Sequence, residues 1–199
     1  MTSDFLVIGS GIAGLSFAIK AAEHGSVTLI TKNDTLNSNT AWAQGGISAV
    51  LPDGLRDQDD SIEKHVSDTL DAGAGLCNEE SVRAIIGEGA QTIDELVSWG
   101  TSFDREGDRF SLGREGGHSE RRILHSKDTT GHEIASSLLE AARNTPRLTI
   151  LSNHIAIDLI TTGKLGNVTD DRVLGAYVLA KETGEVRVLS ADRIILATG

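Results

Sequence analysis

The chain opens on a feature with few structural solutions. The apolar run Phe5 to Ile8 ends in Gly9-Ser10-Gly11-Ile12-Ala13-Gly14, a Gly-x-Gly-x-x-Gly turn, and a helical pattern begins directly after it. A glycine-rich turn alone is a weak signal, but one that joins a strand to a helix has the context that a nucleotide-binding βαβ unit requires. In such a unit the first glycine makes a tight turn, the second lets backbone approach a pyrophosphate, and the third lets helix and strand pack closely. The pyrophosphate lies on the helix N-terminus, where unpaired N–H groups point at it. The helix presents Leu15, Ala18, Ile19 and Ala22 as its core stripe, and Gly25 is expected just past its end as a left-handed terminating residue. Val27 to Ile30 is the second strand. The opening predicts a parallel α/β sheet with a dinucleotide at the first turn, and leaves open whether that is FAD or NAD(P).

Residues 33–46 are polar and rich in Asn, Ser, Thr and Gly without a sustained period, which predicts a long functional loop. Asp60-x-x-Glu63 reads as an acidic cap with its N3 glutamate, opening a helix that carries Ile62, Val66 and Leu70. Two more helices are expected over 79–88 and 90–99. A dense mixture of charge and glycine over 104–121 is a surface or a site. Thr130-Gly131-His132-Glu133 reads as a capping box before a helix that buries Ile134, Leu138, Ala141 and Ala142. Strands are expected at 148–151, 155–160, 173–180, 186–189 and 193–196. Those within 154–190 suggest a small antiparallel β-meander carried on the main sheet, with Thr183-Gly184 as a turn. The sequence stops on the apolar strand Ile194 to Gly199, and a central strand with no following helix leads us to expect that the polypeptide continues.

The net charge of -11, from 29 Asp and Glu against 18 Lys and Arg, argues against nucleic acid and anionic membrane as partners. An acidic ligand must then be held by local donors. Cys77 is the single cysteine, so no internal disulfide or thiolate cluster is available and a reducing compartment fits. No targeting segment and no apolar stretch approaching the ~20 residues of a membrane span precede the first strand, which leads to an expectation of a cytoplasmic protein.

Three places carry further chemistry. At the end of the second strand, where an acid usually holds an adenosine ribose, the sequence reads Thr31-Lys32. Lys32 suits a 2′-phosphate of NADP or the side of an FAD adenosine. Asn39-Thr40-Ala41-Trp42-Ala43-Gln44-Gly45-Gly46 is small, rich in hydrogen-bonding groups and ends in a glycine pair, so its backbone can lie flat on a planar ring; no NADP motif needs this. Arg114-Glu115-Gly116-Gly117-His118-Ser119-Glu120-Arg121-Arg122-Ile123-Leu124-His125 is followed by Asp128-x-Thr130-Gly131. His118, His125 and His132 recur every seven residues, but no carboxylate or cysteine is phased with them, and no metal site is expected. His118 is expected near the flavin or substrate, and His132 in the first turn of a helix.

Taken in order, these motifs resemble the L-aspartate oxidase branch of the succinate dehydrogenase/fumarate reductase flavoprotein family over essentially the whole chain. The resemblance implies an FAD-binding, Rossmann-like α/β fold, with FAD held by Gly9, Ser10, Gly11, Ile12, Ala13, Gly14, Lys32 and Asn39 through Thr40, Ala41, Trp42, Ala43, Gln44, Gly45 and Gly46. Many members place a histidine that bonds covalently to the flavin where Asn39 stands; an amide cannot make that bond, so non-covalent FAD is implied. Dicarboxylate-specific members usually carry an aromatic at the position of Glu115. A carboxylate there pairs with the α-ammonium that distinguishes aspartate from succinate, and would repel the succinate dianion. Glu115 is accordingly implied to orient the substrate. The implied reaction takes L-aspartate to iminoaspartate, with the flavin reoxidised by O2 or fumarate, in NAD biosynthesis and in functional connection with quinolinate synthase. The capping and C-terminal helical domains of the family, which carry its general base and carboxylate clamps, lie outside these residues, and 1–199 alone is expected to be inactive. The competing readings are a soluble fumarate reductase or succinate dehydrogenase flavoprotein, and an FAD- or NADP-binding module that is not an oxidase.

Overall fold

A computed structural model describes residues 1–166 and 170–199. The chain divides into two compact units, Met1–Trp42 with Ile134–Gly199, and Ala43–Glu133. The first unit begins with β1 (Thr2–Ile8), whose Leu6, Val7 and Ile8 are buried, and α1 (Ile12–Ala21), which buries Gly14, Leu15, Ala18, Ile19 and Ala21. β2 (Val27–Ile30) is buried throughout and pairs parallel with β1. Gly25 departs from expectation. It is not left-handed; a Cβ there would lie 2.8 Å from the Asp4 side chain, whose carboxylate accepts hydrogen bonds at 2.6 Å from both the N–H and the hydroxyl of Ser26. Close approach requires the glycine, not helix termination. The polar loop that follows contains one turn of helix, α2 (Asn39–Trp42).

The second unit starts with β3 (Ile47–Ser48) and continues into α3 (Ile62–Ala72), α4 (Glu79–Gly87) and α5 (Gly89–Ser98). The cap of α3 is Ser61, whose hydroxyl accepts the Lys64 N–H at 3.2 Å. Asp60, expected as the cap, is buried instead and is taken up by an ion pair described below. β4 (Arg105–Glu106) and β5 (Arg109–Phe110) form a hairpin, and β6 (Leu112–Gly113) and β7 (Ile123–Leu124) join β3 in a three-stranded antiparallel sheet of order β3-β7-β6. α6 (Thr130–Asn144) follows, burying Ile134, Leu138 and Ala142 as expected, together with Ala135 and Leu139.

The chain then completes the sheet of the first unit with β8 (Leu148–Leu151), β9 (His154–Thr161), β10 (Val173–Ala180) and β11 (Glu185–Leu196), giving the order β8-β2-β1-β11-β10-β9. Residues 167–169, within the expected meander, lie outside the described residues. The two strands expected at 186–189 and 193–196 are one. From Glu185 to Ser190 β11 pairs antiparallel with β10, and from Ser190 to Leu196 it pairs parallel with β1. The polar stretch Ser190 to Arg193, which looks like a break in sequence, marks the change of partner. The core here is Leu6, Ile8, Ile30, Ala176, Val178, Leu189 and Ala191. No helix among the described residues is long and apolar enough to cross a membrane.

Candidate functional site

In the first unit the three glycines of the turn are needed for different reasons. Gly9 has φ +116°, and a Cβ on it would overlap the Ala197 carbonyl; a Cβ on Gly14 would overlap the Gly9 carbonyl. Both are fixed by the protein's own packing of helix on strand. Gly11 is not. Its φ of -70° and ψ of 179° suit any residue, and a Cβ would meet only the Thr40 hydroxyl at 3.5 Å. This chain's own packing makes no demand for glycine at the helix N-cap, and the space left there is of the kind that the close approach of a ligand's phosphates needs. No side chain caps α1 and no acid occupies its first turn, so the positive end of the helix is left for an anion. Its Ile12 N–H donates to the Thr40 hydroxyl at 3.1 Å, tying the turn to α2.

The end of β2 is held close to the same turn. The Ser10 hydroxyl donates to that of buried Thr31 at 2.9 Å, and the Lys181 ammonium donates to the Lys32 carbonyl at 3.1 Å and to Asn33 Oδ1 at 3.0 Å. Sequence reading singled out Lys32 but not Lys181, which comes from the β10–β11 turn. Of the expected cofactor residues, Gly9 to Gly14, Lys32 and Asn39 to Trp42 belong to this unit, and Ala43 to Gly46 belong to the other.

In the second unit the small sheet brings together three segments far apart in sequence. Gly46 precedes β3, Glu115 follows β6 and His125 follows β7. Glu115 Oε1 accepts the Gly46 N–H at 3.3 Å and lies 3.0 Å from His125 Nε2. The hydrogen bond from His125, with that from Gly46, holds the Glu115 carboxyl below the usual carboxylate range. An ionised carboxylate only accepts, so His125 carries its proton on Nε2. Both donors converge on Oε1 of a side chain that is about half exposed.

The polypeptide around Glu115 is anchored by Arg122, whose side chain is wholly buried. Its guanidinium meets Asp60 at 2.7 Å and Asp68 at 2.5 Å. Asp68 also accepts the N–H and the hydroxyl of Ser119, at 2.9 and 2.8 Å. His118 lies 3.4 Å from Arg122 and stacks obliquely on buried His65, their centroids 5.5 Å apart. Burial, followed by the neighbouring charge of Arg122, pushes the His65 imidazole below its usual range. His132 lies in the first turn of α6, so the three regularly spaced histidines go to three different environments. Sequence reading missed Arg122 and Asp60, and treated His125 only as a rejected metal ligand. No local signal marks these pairings, since 62 residues separate Asp60 from Arg122.

A mostly parallel sheet with a glycine turn opening onto an uncapped helix defines a dinucleotide-binding α/β protein. The chain belongs to the FAD binding domain family, whose profile matches residues 4–199, and its cofactor is FAD. Among relatives, it is 45% identical to an L-aspartate oxidase of Vibrio cholerae over 98% of the chain and 37% of that protein, and 50% identical to a chloroplastic L-aspartate oxidase of Arabidopsis thaliana over 98% and 29%. It therefore spans about a third of the length of these relatives. Among solved structures, an E. coli quinol fumarate reductase superposes with a TM-score of 0.89 at 27% identity, covering all of this chain and 33% of that one.

Proposed function

We propose that the protein carrying this chain oxidises L-aspartate to iminoaspartate, with FAD bound non-covalently and reoxidised by O2 or fumarate, in the supply of NAD. FAD, when bound, accepts the electron pair leaving the substrate's Cα–N unit. Gly9 to Gly14 and the N-terminus of α1 would receive its pyrophosphate, Lys32 its adenosine side, and Asn39 to Gly46 the remainder. Asn39 offers an amide, which forms no bond to a flavin. The lone Cys77 suits a reducing compartment such as the cytoplasm, and plant relatives are chloroplastic by name.

The observation that carries this reading is the Glu115 carboxylate, held below the usual carboxylate range and fixed through Oε1 on a half-exposed side chain. Such a group attracts the α-ammonium of aspartate and repels a ligand that is only a dianion. The kinship to L-aspartate oxidases, at 44–50% identity over nearly the whole chain, supports the same substrate. The structural likeness to fumarate reductases favours succinate as the rival substrate. Assaying the full-length protein with both substrates decides. Turnover of aspartate over succinate, with flavin absorbance that is released on denaturation, is the expected result; preference for succinate would overturn the reading.

A further inference from the structure

The His125 ring is seated against two glycines, Gly46 and Gly113. A Cβ on Gly113 would lie 2.7 Å from the ring's Cε1, and a Cβ on Gly46 2.9 Å from its Nε2. A side chain at Gly113 would displace the imidazole, and one at Gly46 would overlap Ile123 and the Leu124 carbonyl as well as crowd the ring. Gly46 therefore has two roles: it leaves room for the ring, and its N–H joins the ring's Nε2–H on the same oxygen of Glu115. A glutamate side chain otherwise samples several rotamers and loses that freedom when it is fixed. Two donors on one oxygen, one of them locked by packing, remove that freedom before a ligand arrives.

We propose that His125, seated against Gly46 and Gly113, is a positioning residue that holds the Glu115 carboxylate for a cationic group of the ligand, and so sets preference for an amino dicarboxylate over a dicarboxylate. The inference rests on Glu115 facing the substrate ammonium. His125 itself touches neither substrate nor cofactor in this role. Because it orders a group that pairs with the ammonium in ground and transition states alike, its loss should appear in KM more than in kcat.

The test compares His125→Ala, His125→Gln and Glu115→Gln in the FAD-loaded, full-length protein. His125→Ala is expected to raise the aspartate KM roughly tenfold, the size of a lost charge-assisted hydrogen bond, with kcat little changed. His125→Gln, which keeps a side-chain N–H, is expected to restore most of that loss. Independently of turnover, the Glu115 carboxyl, followed by 13C NMR, should titrate at higher pH in His125→Ala than in the parent. If Glu115→Gln raises KM while His125→Ala changes neither KM nor the Glu115 titration, the role of His125 is overturned and the aspartate reading stands. If Glu115→Gln also leaves KM unchanged, Glu115 does not meet the ammonium and the role of His125 falls with it, whereas the aspartate reading falls only if the parent prefers succinate.

Discussion

Arg122 and Asp60 form an ion pair at 2.7 Å in which neither side chain has any exposed surface. The pair lies next to the Ser61 cap of α3, so the two neighbours invite a direct comparison. Removing one member of a buried pair leaves an uncompensated charge, which costs about 3–5 kcal/mol, whereas losing a serine cap costs about 1 kcal/mol. Asp60→Ala should therefore lower the denaturant midpoint several times more than Ser61→Ala. Equal losses would mean that Asp60 contributes no more than a cap.

Asp68 links the same guanidinium to the Ser119 backbone, and it supplies a pH dependence. Burial raises its carboxyl, but the hydrogen bonds from Ser119 and Arg122 outweigh this and bring it from 3.8 to about 2. A carboxylate whose folded value lies below its unfolded one stabilises the fold above the unfolded value, and that stability disappears as pH falls through the folded value. The parent should thus lose about 2 kcal/mol between roughly pH 4 and pH 2 from this group. Asp68→Asn should flatten that part of the profile in chemical denaturation run at successive pH values.

The glycines of the turn make a contrasting set. Gly9→Ala and Gly14→Ala place a methyl group on a backbone carbonyl and should destabilise the fold by about 1–3 kcal/mol or more. Gly11→Ala meets only a van der Waals contact and should cost less than about 1 kcal/mol, the difference between glycine and alanine at an N-cap. Its effect should fall on FAD instead. Thermal unfolding of the apoprotein and flavin titration of each variant separate the two outcomes.

Glu115→Gln should reduce kcat/KM for aspartate by on the order of tenfold or more, the cost of losing one partner of a partly desolvated charge pair. The same change should narrow the discrimination against succinate, since it removes the repulsive charge as well. Competition between the two dicarboxylates in the full-length protein measures both effects at once.

Thr40→Val should separate the turn from α2. It removes the acceptor of the Ile12 N–H while keeping the side-chain volume, so the expected cost is about 1 kcal/mol of stability. A change in FAD affinity without that cost would show that Thr40 acts on the cofactor directly.

The sequence by itself determined the elements whose signals are local. The strand-turn-helix-strand follows the apolar runs and the glycine spacing, with β1 starting at Thr2, ahead of the apolar run from Phe5, and β10 begins and ends at the expected residues. Its tandem glycines also pointed to a dinucleotide, because a Gly-x-Gly-x-x-Gly turn encodes its function within six positions. Tertiary structure decided everything that depends on a partner distant in the chain. Asp60 has the sequence signature of a cap, yet a buried guanidinium 62 residues away claims it. Ser190 reads as an interruption, yet it is where β11 leaves β10 and joins β1. Gly46 suggests a backbone made to lie on a flat ring, yet a Cβ there would overlap Ile123 and Leu124 as well as crowd His125. Propensity and periodicity act over a few residues, while buried charge and close packing are settled only when strands remote in sequence come into register.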